Sequence, residues 1–533
     1  MISGAWRVSS GLLAGLLLLP LVAVFYQAFF VDGQGFAQLW QTGLPTYLIH
    51  SATIMLATLF FSLLFGAPSA WFIALYRFPG HRVLQWALCL PFAMPAFLLA
   101  YLYIDALREG GILIDLSRQE STITAQPVLL LYASLILALV WYPYIYLLVR
   151  DTLLKLPASM IHSAHLLNQT RAQVLRRVCM PIALPALACG GALVVIEALG
   201  DYGAAAYLGI PTITTQVLDT WQMQGDLGAS ARLSVLILPT TVLLVFLVNR
   251  WRRQQRIYHA QLTSSPVAPP VLSGWRGRMV CGYCWSLVCL SFLFPILYLL
   301  FVAMRHTKTV WDSTFLQAAM NSLIVSSIAT ATISLMSLSF IFYRRIAGAF
   351  ANQTSVRLIN LSVALPGVVI AVGMCILLSA IMNGINLIVH AIGEPVTAAS
   401  PAVPLLILVL AYCAKFGRLM LESLERSMDA IPRSLDGTSL VLGASPFSRW
   451  SRVHIPLLRR SLFIGALLIF TESMKELNIS LLLRPFGIDT LATAVFRLTT
   501  SEQIASFAFS ALELVAVGLI PVFWLNRALN IKG

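Results

Sequence analysis

About twelve apolar runs of roughly 20 residues or more, nearly free of charge, punctuate this chain, and they constrain its fold more than any motif does. At 1.5 Å per residue, ~20 residues of α-helix cross a ~30 Å hydrocarbon core, and no soluble domain needs so many such runs. They fall near 10–30, 48–75, 84–104, 127–149, 181–199, 232–250, 278–303, 321–343, 359–380, 402–420, 461–480 and 505–527. The fold expected is therefore all-α and integral to a membrane, with about 12 transmembrane helices. Composition agrees: 59% of the 533 residues are hydrophobic and only 11% are charged. The first run follows a single basic residue, Arg7, has no small-residue cleavage site, and reads as a retained helix rather than a signal peptide.

Lys and Arg are retained on the cytoplasmic side of a membrane, so their positions predict orientation. With the N-terminus inside, the great majority of the 35 basic residues fall in cytoplasmic segments: Arg77 and Arg82, the groups from Arg150 to Arg177 and Arg250 to Arg278, Arg344 to Arg357, and Lys415 to Arg460. The expectation is a multi-pass protein with both termini cytoplasmic. The net charge of +14 then needs no nucleic-acid partner, because the charge is spread over short loops at the lipid surface.

Shifted against itself by 275 residues, the sequence matches without gaps from Pro157 to Thr215, with thirteen identities in 59 positions, among them Pro181/Pro456, Gly190/Gly465, Glu197/Glu472, Ile213/Ile488 and Thr215/Thr490. The chain thus reads as two homologous six-helix halves, 1–250 and 278–533, joined by a polar, Pro-rich cytoplasmic linker at 251–277. Each half carries a long loop before its fifth span, at about 150–181 and 421–456. In each, a Pro precedes a mixed polar and apolar stretch, a break at Asn168 or Gly443, a basic cluster, and Pro181 or Pro456 at the start of the next span. That pattern predicts two short amphipathic helices joined at a residue tolerating positive φ, with the second Pro in the first turn of a membrane helix.

With this spacing the loops resemble the coupling loops of ABC importer permeases, whose pattern is EAA, three residues, Gly, nine residues, I-x-L-P. Asn168 and Gly443 stand at the Gly position. The EAA triplet is degenerate, His162-Ser163-Ala164 in one copy and Gly437-Thr438-Ser439 in the other, with Asp436 available as an acidic substitute. The resemblance implies a type I ABC importer permease fold and ATPase-coupling loops carrying Ser163, Ala164, Asn168, Pro181, Thr438, Ser439, Gly443 and Pro456. It also implies an ATPase dimer at the cytoplasmic face holding ATP and Mg, an external solute-binding protein, and a bacterial inner-membrane location. Because two halves are fused, one copy of this chain should serve each complex. Segments 90–101, 141–148 and 197–217 are further similar to the fused permeases of ferric-iron importers, while thiamine, polyamine and phosphonate permeases share the architecture.

The repeat also pairs acids: Glu197 with Glu472 and Asp201 with Glu476. Four residues apart within each half, they are expected on one helix face, with Glu197 ~24 Å along the helix from Pro181. Ionisable residues at that depth must face protein or water, so the four are candidate substrate-pathway residues. Carboxylates suit a hard cation such as Fe³⁺, transiently held, while Lys475 offers a purely structural reading by neutralising Glu472 or Glu476. Glu513, inside the last span, is a lesser pathway candidate. Pro91, Pro95 and Pro366 are candidate bends, and Tyr142, Tyr144 and Tyr146 a packing or interfacial cluster.

The chain has no GxxxxGK[ST] phosphate loop and no nucleophile–base constellation, so it is expected to be no enzyme and to bind no cofactor of its own. The Cys281, Cys284, Cys289 group opens a span without a His or second CxxC nearby and reads as apolar packing. A secondary transporter without an ATPase is the competing class. It would need a midplane ion site in broken helices, and the paired cytoplasmic loops argue against it.

Overall fold

The computed structural model describes residues 2–31, 41, 43–109, 122–154, 156, 160, 166–259, 270–305, 313–347, 365–392, 402–485, 487–500 and 504–530. Twelve principal helical segments order the chain: α1 (Ile2–Phe30), α2 (Leu44–Leu75), α3 (the bent pair His81–Ala93 and Ala96–Leu107), α4 (Thr122–Leu154), α5 (Met180–Gly200) and α6 (Leu227–His259) in the first half. The second half holds α7 (Gly274–Arg305), α8 (Ser313–Ala347), α9 (Gly367–Ile392), α10 (Ala402–Asp429), α11 (Ile455–Lys475) and α12 (Ile504–Asn530). Among the described residues, nine helices are long and apolar enough to cross a membrane and α3 makes a tenth, while the apolar parts of α1 and α12, Gly15–Phe30 and Ala508–Phe523, are shorter. Each expected run overlaps one of these helices, residues 359–364 of the ninth run lying outside the described residues.

Several boundaries differ from expectation: α6 runs on to His259, α9 begins only at Gly367 and α10 runs on to Asp429, and two further differences have a cause in the local chain. The third span bends by 93° at Met94 and Pro95, because Pro95 removes a helix donor and forces the preceding residue out of the helical region. Met94 is accordingly extended, at φ −96°, ψ 121°. Pro366 kinks nothing among the described residues but directly precedes α9. The eleventh span stops at Lys475 instead of continuing to 480, since Glu476 is extended at φ −68°, ψ 115°.

The first helix of each half crosses to the other half. α1 packs on α8, α9 and α10 as well as α6, and α7 packs on α2, α3 and α12. Such interlocking needs close backbone approach, and membrane helices obtain it with glycine. A Cβ on Gly373 of α9 would lie 2.7 Å from Cα of Pro20 in α1, and one on Gly518 of α12 would lie 2.9 Å from Cα of Ala93 in α3.

The 275-residue repeat is visible in the backbone. A π-helical turn, with i→i+5 bonding, precedes α5 at Leu175–Cys179 and α11 at Trp450–His454. Short helices follow both, at Gly203–Tyr207 and Asn478–Leu483. Beyond them the register changes. Thr212 Oγ1 accepts from the Thr215 N–H at 3.2 Å and Thr215 Oγ1 from the Thr212 N–H at 2.9 Å, and the same reciprocal cap joins Thr490 and Thr493 at 3.3 and 2.9 Å. The equivalence of Ile213 with Ile488 and Thr215 with Thr490 is therefore wrong by three residues. The motif is Gly-Ile-x-Thr-x-x-Thr-x-Val, at 209–217 and 487–495, each Gly having positive φ. Three extra residues in the second half are absorbed before Gly487.

Each cap is completed from the second helix of its half. The Ile213 N–H donates to Ser51 Oγ at 3.0 Å and the Leu491 N–H to Ser322 Oγ at 2.5 Å, both serines being buried. Ser322→Ala should leave the Leu491 N–H without a partner and cost about 1–2 kcal/mol, read as a lower Tm of the purified protein.

Candidate functional site

The four acids gather where the fifth helices of the two halves end. The expectation that each pair shares a helix face is not met. Glu197 and Glu472 lie in the last turn of α5 and α11, but Asp201 and Glu476 sit just past the helix ends in extended conformation. The physical reason is local: each of these second acids serves the following short helix. Asp201 Oδ1 accepts from the Ala204 N–H at 2.8 Å, and Glu476 Oε1 accepts from the Ile479 N–H at 3.3 Å.

The cluster joins the halves. Asn478 Nδ2 donates to the Gly200 carbonyl at 2.9 Å, bridging from beyond α11 to the end of α5. Lys475 Nζ donates to Glu472 Oε1 at 2.9 Å and to the Phe92 carbonyl of α3 at 2.9 Å. Glu476, only 8% exposed, is ion-paired with Lys415 of α10. Glu197 lies within electrostatic range of Lys415, Glu472, Glu476 and Asp201.

Sequence reasoning groups Lys415 with the cytoplasmic basic residues and so misses its place in the site. Its signal is a single Lys inside the apolar run of α10, which invites the same functional suspicion as an acid at that depth. Among the described residues no three His, Cys, Asp or Glu side chains converge as a metal-ligand set. The four acids thus form a charged collar, two of them engaged by lysines, and not an assembled coordination site. Tyr142 and Tyr146 are fully buried in helix packing, with Tyr146 Oη donating to the Gln85 carbonyl at 2.7 Å, while Tyr144 packs on Trp141 and Phe92.

The second loop contains the two expected short helices, Arg433–Val441 and Pro446–Arg449, joined through Gly443 at φ +70°. In the first loop Asn168 takes φ +54°, the one non-glycine residue with positive φ among those described; Ser163 and Ala164 lie outside the described residues. Pro181 and Pro456 stand in the first turns of α5 and α11. Thr438 Oγ1 donates to the Ser434 carbonyl at 3.0 Å and Ser439 Oγ to the Asp436 carbonyl at 2.8 Å, so both hydroxyls are satisfied within their own helix.

Asp436 ties that helix to the membrane bundle. It pairs with Arg345 Nε of α8 at 2.7 Å and with His454 Nε2 before α11 at 2.9 Å, and Arg345 also donates to the Met428 and Ile431 carbonyls at 3.2 and 2.8 Å. In the first half the positions equivalent to Asp436 and His454 are Ile161 and Cys179, so the ionic tie belongs to the second loop.

Comparison with known proteins agrees with this architecture. Residues 62–255, which include the first loop and the first acid pair, match the family described as binding-protein-dependent transport system inner membrane component. The Fe(3+)-transport system permease protein FbpB 2 of Haemophilus influenzae is 24% identical over 493 residues, covering 92% of this chain and 91% of its own length. The sulfate transport system permease protein CysT of Salmonella typhimurium is 26% identical over 44% of this chain and 86% of its own, and the molybdenum transport system permease protein ModB of Escherichia coli 25% over 40% and 92%. No solved structure matches. A multi-pass helical bundle and the match of residues 62–255 make this chain similar to the binding-protein-dependent inner-membrane components of transport systems, with likeness to a permease over nearly its whole length.

Proposed function

We propose that the chain is the translocation subunit of a ferric-iron importer, working by alternating access. The observation that carries this reading is likeness over nearly the whole length of both chains to a Fe(3+)-transport permease, where the sulfate and molybdenum relatives match less than half of this chain. The charge balance of the collar supports it: four carboxylates against two lysines attract a hard cation, and oxygen is the ligand such a cation prefers. An unassembled collar also suits transit, since a pathway must release what it attracts. Both termini are cytoplasmic in this reading, an external binding protein delivers the ion, and one copy of the chain meets an ATPase dimer that holds ATP and Mg, the chain itself binding no nucleotide.

Closure of that dimer would push on the two coupling loops. Through Asp436 and Arg345 the second loop would carry the movement into α8, α10 and α11, and the last turn of α11 holds Glu472. Asp436→Asn should therefore lower uptake several-fold at matched membrane abundance, because the partly buried Arg345 and the buried His454 lose the negative charge they share and keep a single accepting oxygen between them.

A second reading, an oxyanion permease, is favoured by the sulfate and molybdenum relatives and by Lys415 and Lys475 in the collar. Uptake of labelled ferric ion, sulfate, molybdate and thiamine in matched cells with and without this chain separates the readings. Chain-dependent ferric uptake alone supports the proposal. Chain-dependent uptake of another solute, with ferric uptake unchanged, discards it.

A further inference from the structure

Lys415 lies outside the coupling loops, and the 275-residue register puts Val140 at its equivalent position, so the repeat does not account for it. It rises from the middle of α10, its side chain 24% exposed, and meets Glu476 just beyond α11, whose side chain is 8% exposed. The same carboxylate is held by the Ile479 N–H, so Lys415 grips an acid whose position is already fixed by backbone. A third helix closes on the pair. A Cβ on Gly367, the first residue of α9, would lie 3.1 Å from Lys415 Nζ and 3.2 Å from Glu476 Oε1, so only a glycine lets α9 start there without displacing them. The Asn478 bond to the Gly200 carbonyl then connects this junction to the first half. The ammonium also lies 5.4 Å from the centroid of the Phe416 ring, a weak alternative berth on its own helix.

A buried ion pair is poor evidence for stability, because desolvating both charges offsets most of their attraction. Its value lies in specifying one arrangement over another, and the partner here is a carboxylate of the proposed pathway. We propose that Lys415 is the gating and specificity-determining residue of the pathway: a tethered cation that occupies Glu476 and locks α9, α10 and α11 together until a cationic cargo takes the carboxylate. The proposal deepens the ferric reading and rests on it for the cargo. A trivalent cation outcompetes the ammonium for the carboxylate and repels it, driving both events in one direction. An oxyanion would instead compete with Glu476 for Lys415.

The test uses the complete complex of this chain, its ATPase and its binding protein in proteoliposomes, with activity expressed per assembled complex. Lys415→Met should raise ATP hydrolysis in the absence of binding protein and iron by roughly five-fold or more, since the locked arrangement loses its preference, and Lys415→Arg should restore the low rate. The double variant Lys415→Met, Glu476→Gln should stay high, because a neutral pair has no lock. Unchanged hydrolysis in Lys415→Met overturns the proposal, and so does a return to the low rate in the double variant, which would make an unpaired buried carboxylate the whole effect. The hydrolysis measurements contain no iron, so they can fail while ferric uptake stands. In the converse case, a lock released in Lys415→Met with no ferric uptake by the wild type, the cargo assignment falls and the lock remains.

Discussion

Neutralising the collar, with Glu197→Gln, Asp201→Asn, Glu472→Gln and Glu476→Gln combined, is expected to reduce ferric uptake to below about a hundredth of the wild-type rate. The magnitude follows from Coulomb's law: one carboxylate ~8 Å from a trivalent ion, at an effective dielectric constant of ~20, contributes about 6 kcal/mol before screening. Loss of even half of one such interaction changes a rate about a hundred-fold. Asn and Gln can still accept the Ala204 and Ile479 N–H bonds, so the short helices beyond α5 and α11 keep their caps. Glu476→Gln leaves Lys415 unpaired, and for that reason membrane abundance must be measured beside uptake. The pair Glu197→Gln, Glu472→Gln, which leaves that ion pair intact, supplies the cleaner comparison. Wild-type uptake in the fourfold variant, correctly inserted, would remove the acids from the mechanism.

Gly373→Val should be strongly destabilising. The new Cβ would sit 2.7 Å from Cα of Pro20, and backbone in two tightly packed helices cannot move aside as a flexible side chain can. We expect a loss of at least about 3 kcal/mol, seen as a sharp fall in Tm and in monodisperse protein after detergent extraction. The effect should be on the joining of the halves, because α1 and α9 belong to different ones. Gly384 lies in the same helix, and nothing comes within 4 Å of the place an added Cβ would take, so Gly384→Ala should be neutral or stabilising by up to ~1 kcal/mol.

How far the sequence is legible varies with the range of the force involved. Helix formation in a bilayer is a local requirement, because every backbone group must find its partner within its own segment, and so the apolar runs can be read one at a time. The turn conformations at Asn168 and Gly443 are readable for the same reason. The repeat is legible until an insertion intervenes. A gap-free comparison pairs Thr215 with Thr490, whereas the caps pair Thr212 with Thr490, and the recurrence of Gly-Ile-x-Thr-x-x-Thr-x-Val at 278 residues is the signal that such a comparison passes over.

The site is legible as composition and not as geometry. Four acids at repeated positions point to the collar, yet helix periodicity fails for Asp201 and Glu476 because both residues leave the helix to cap the next one. In sequence Lys415 and Arg345 count only as positive charge on one side of the membrane, and their carboxylate partners lie 61 and 91 residues away.

By itself the sequence determined the multi-pass membrane character, the helical class, the internal repeat and the turns at Asn168 and Gly443, all of which follow from hydropathy, spacing and self-similarity along the chain. Only the tertiary structure decided that α1 and α7 cross between halves, that Glu476 belongs to Lys415, and that Asp436 fastens the second loop to α8 and α11. Those features depend on which distant surfaces meet, and a charge or a glycine in sequence does not carry the identity of the residue it will face.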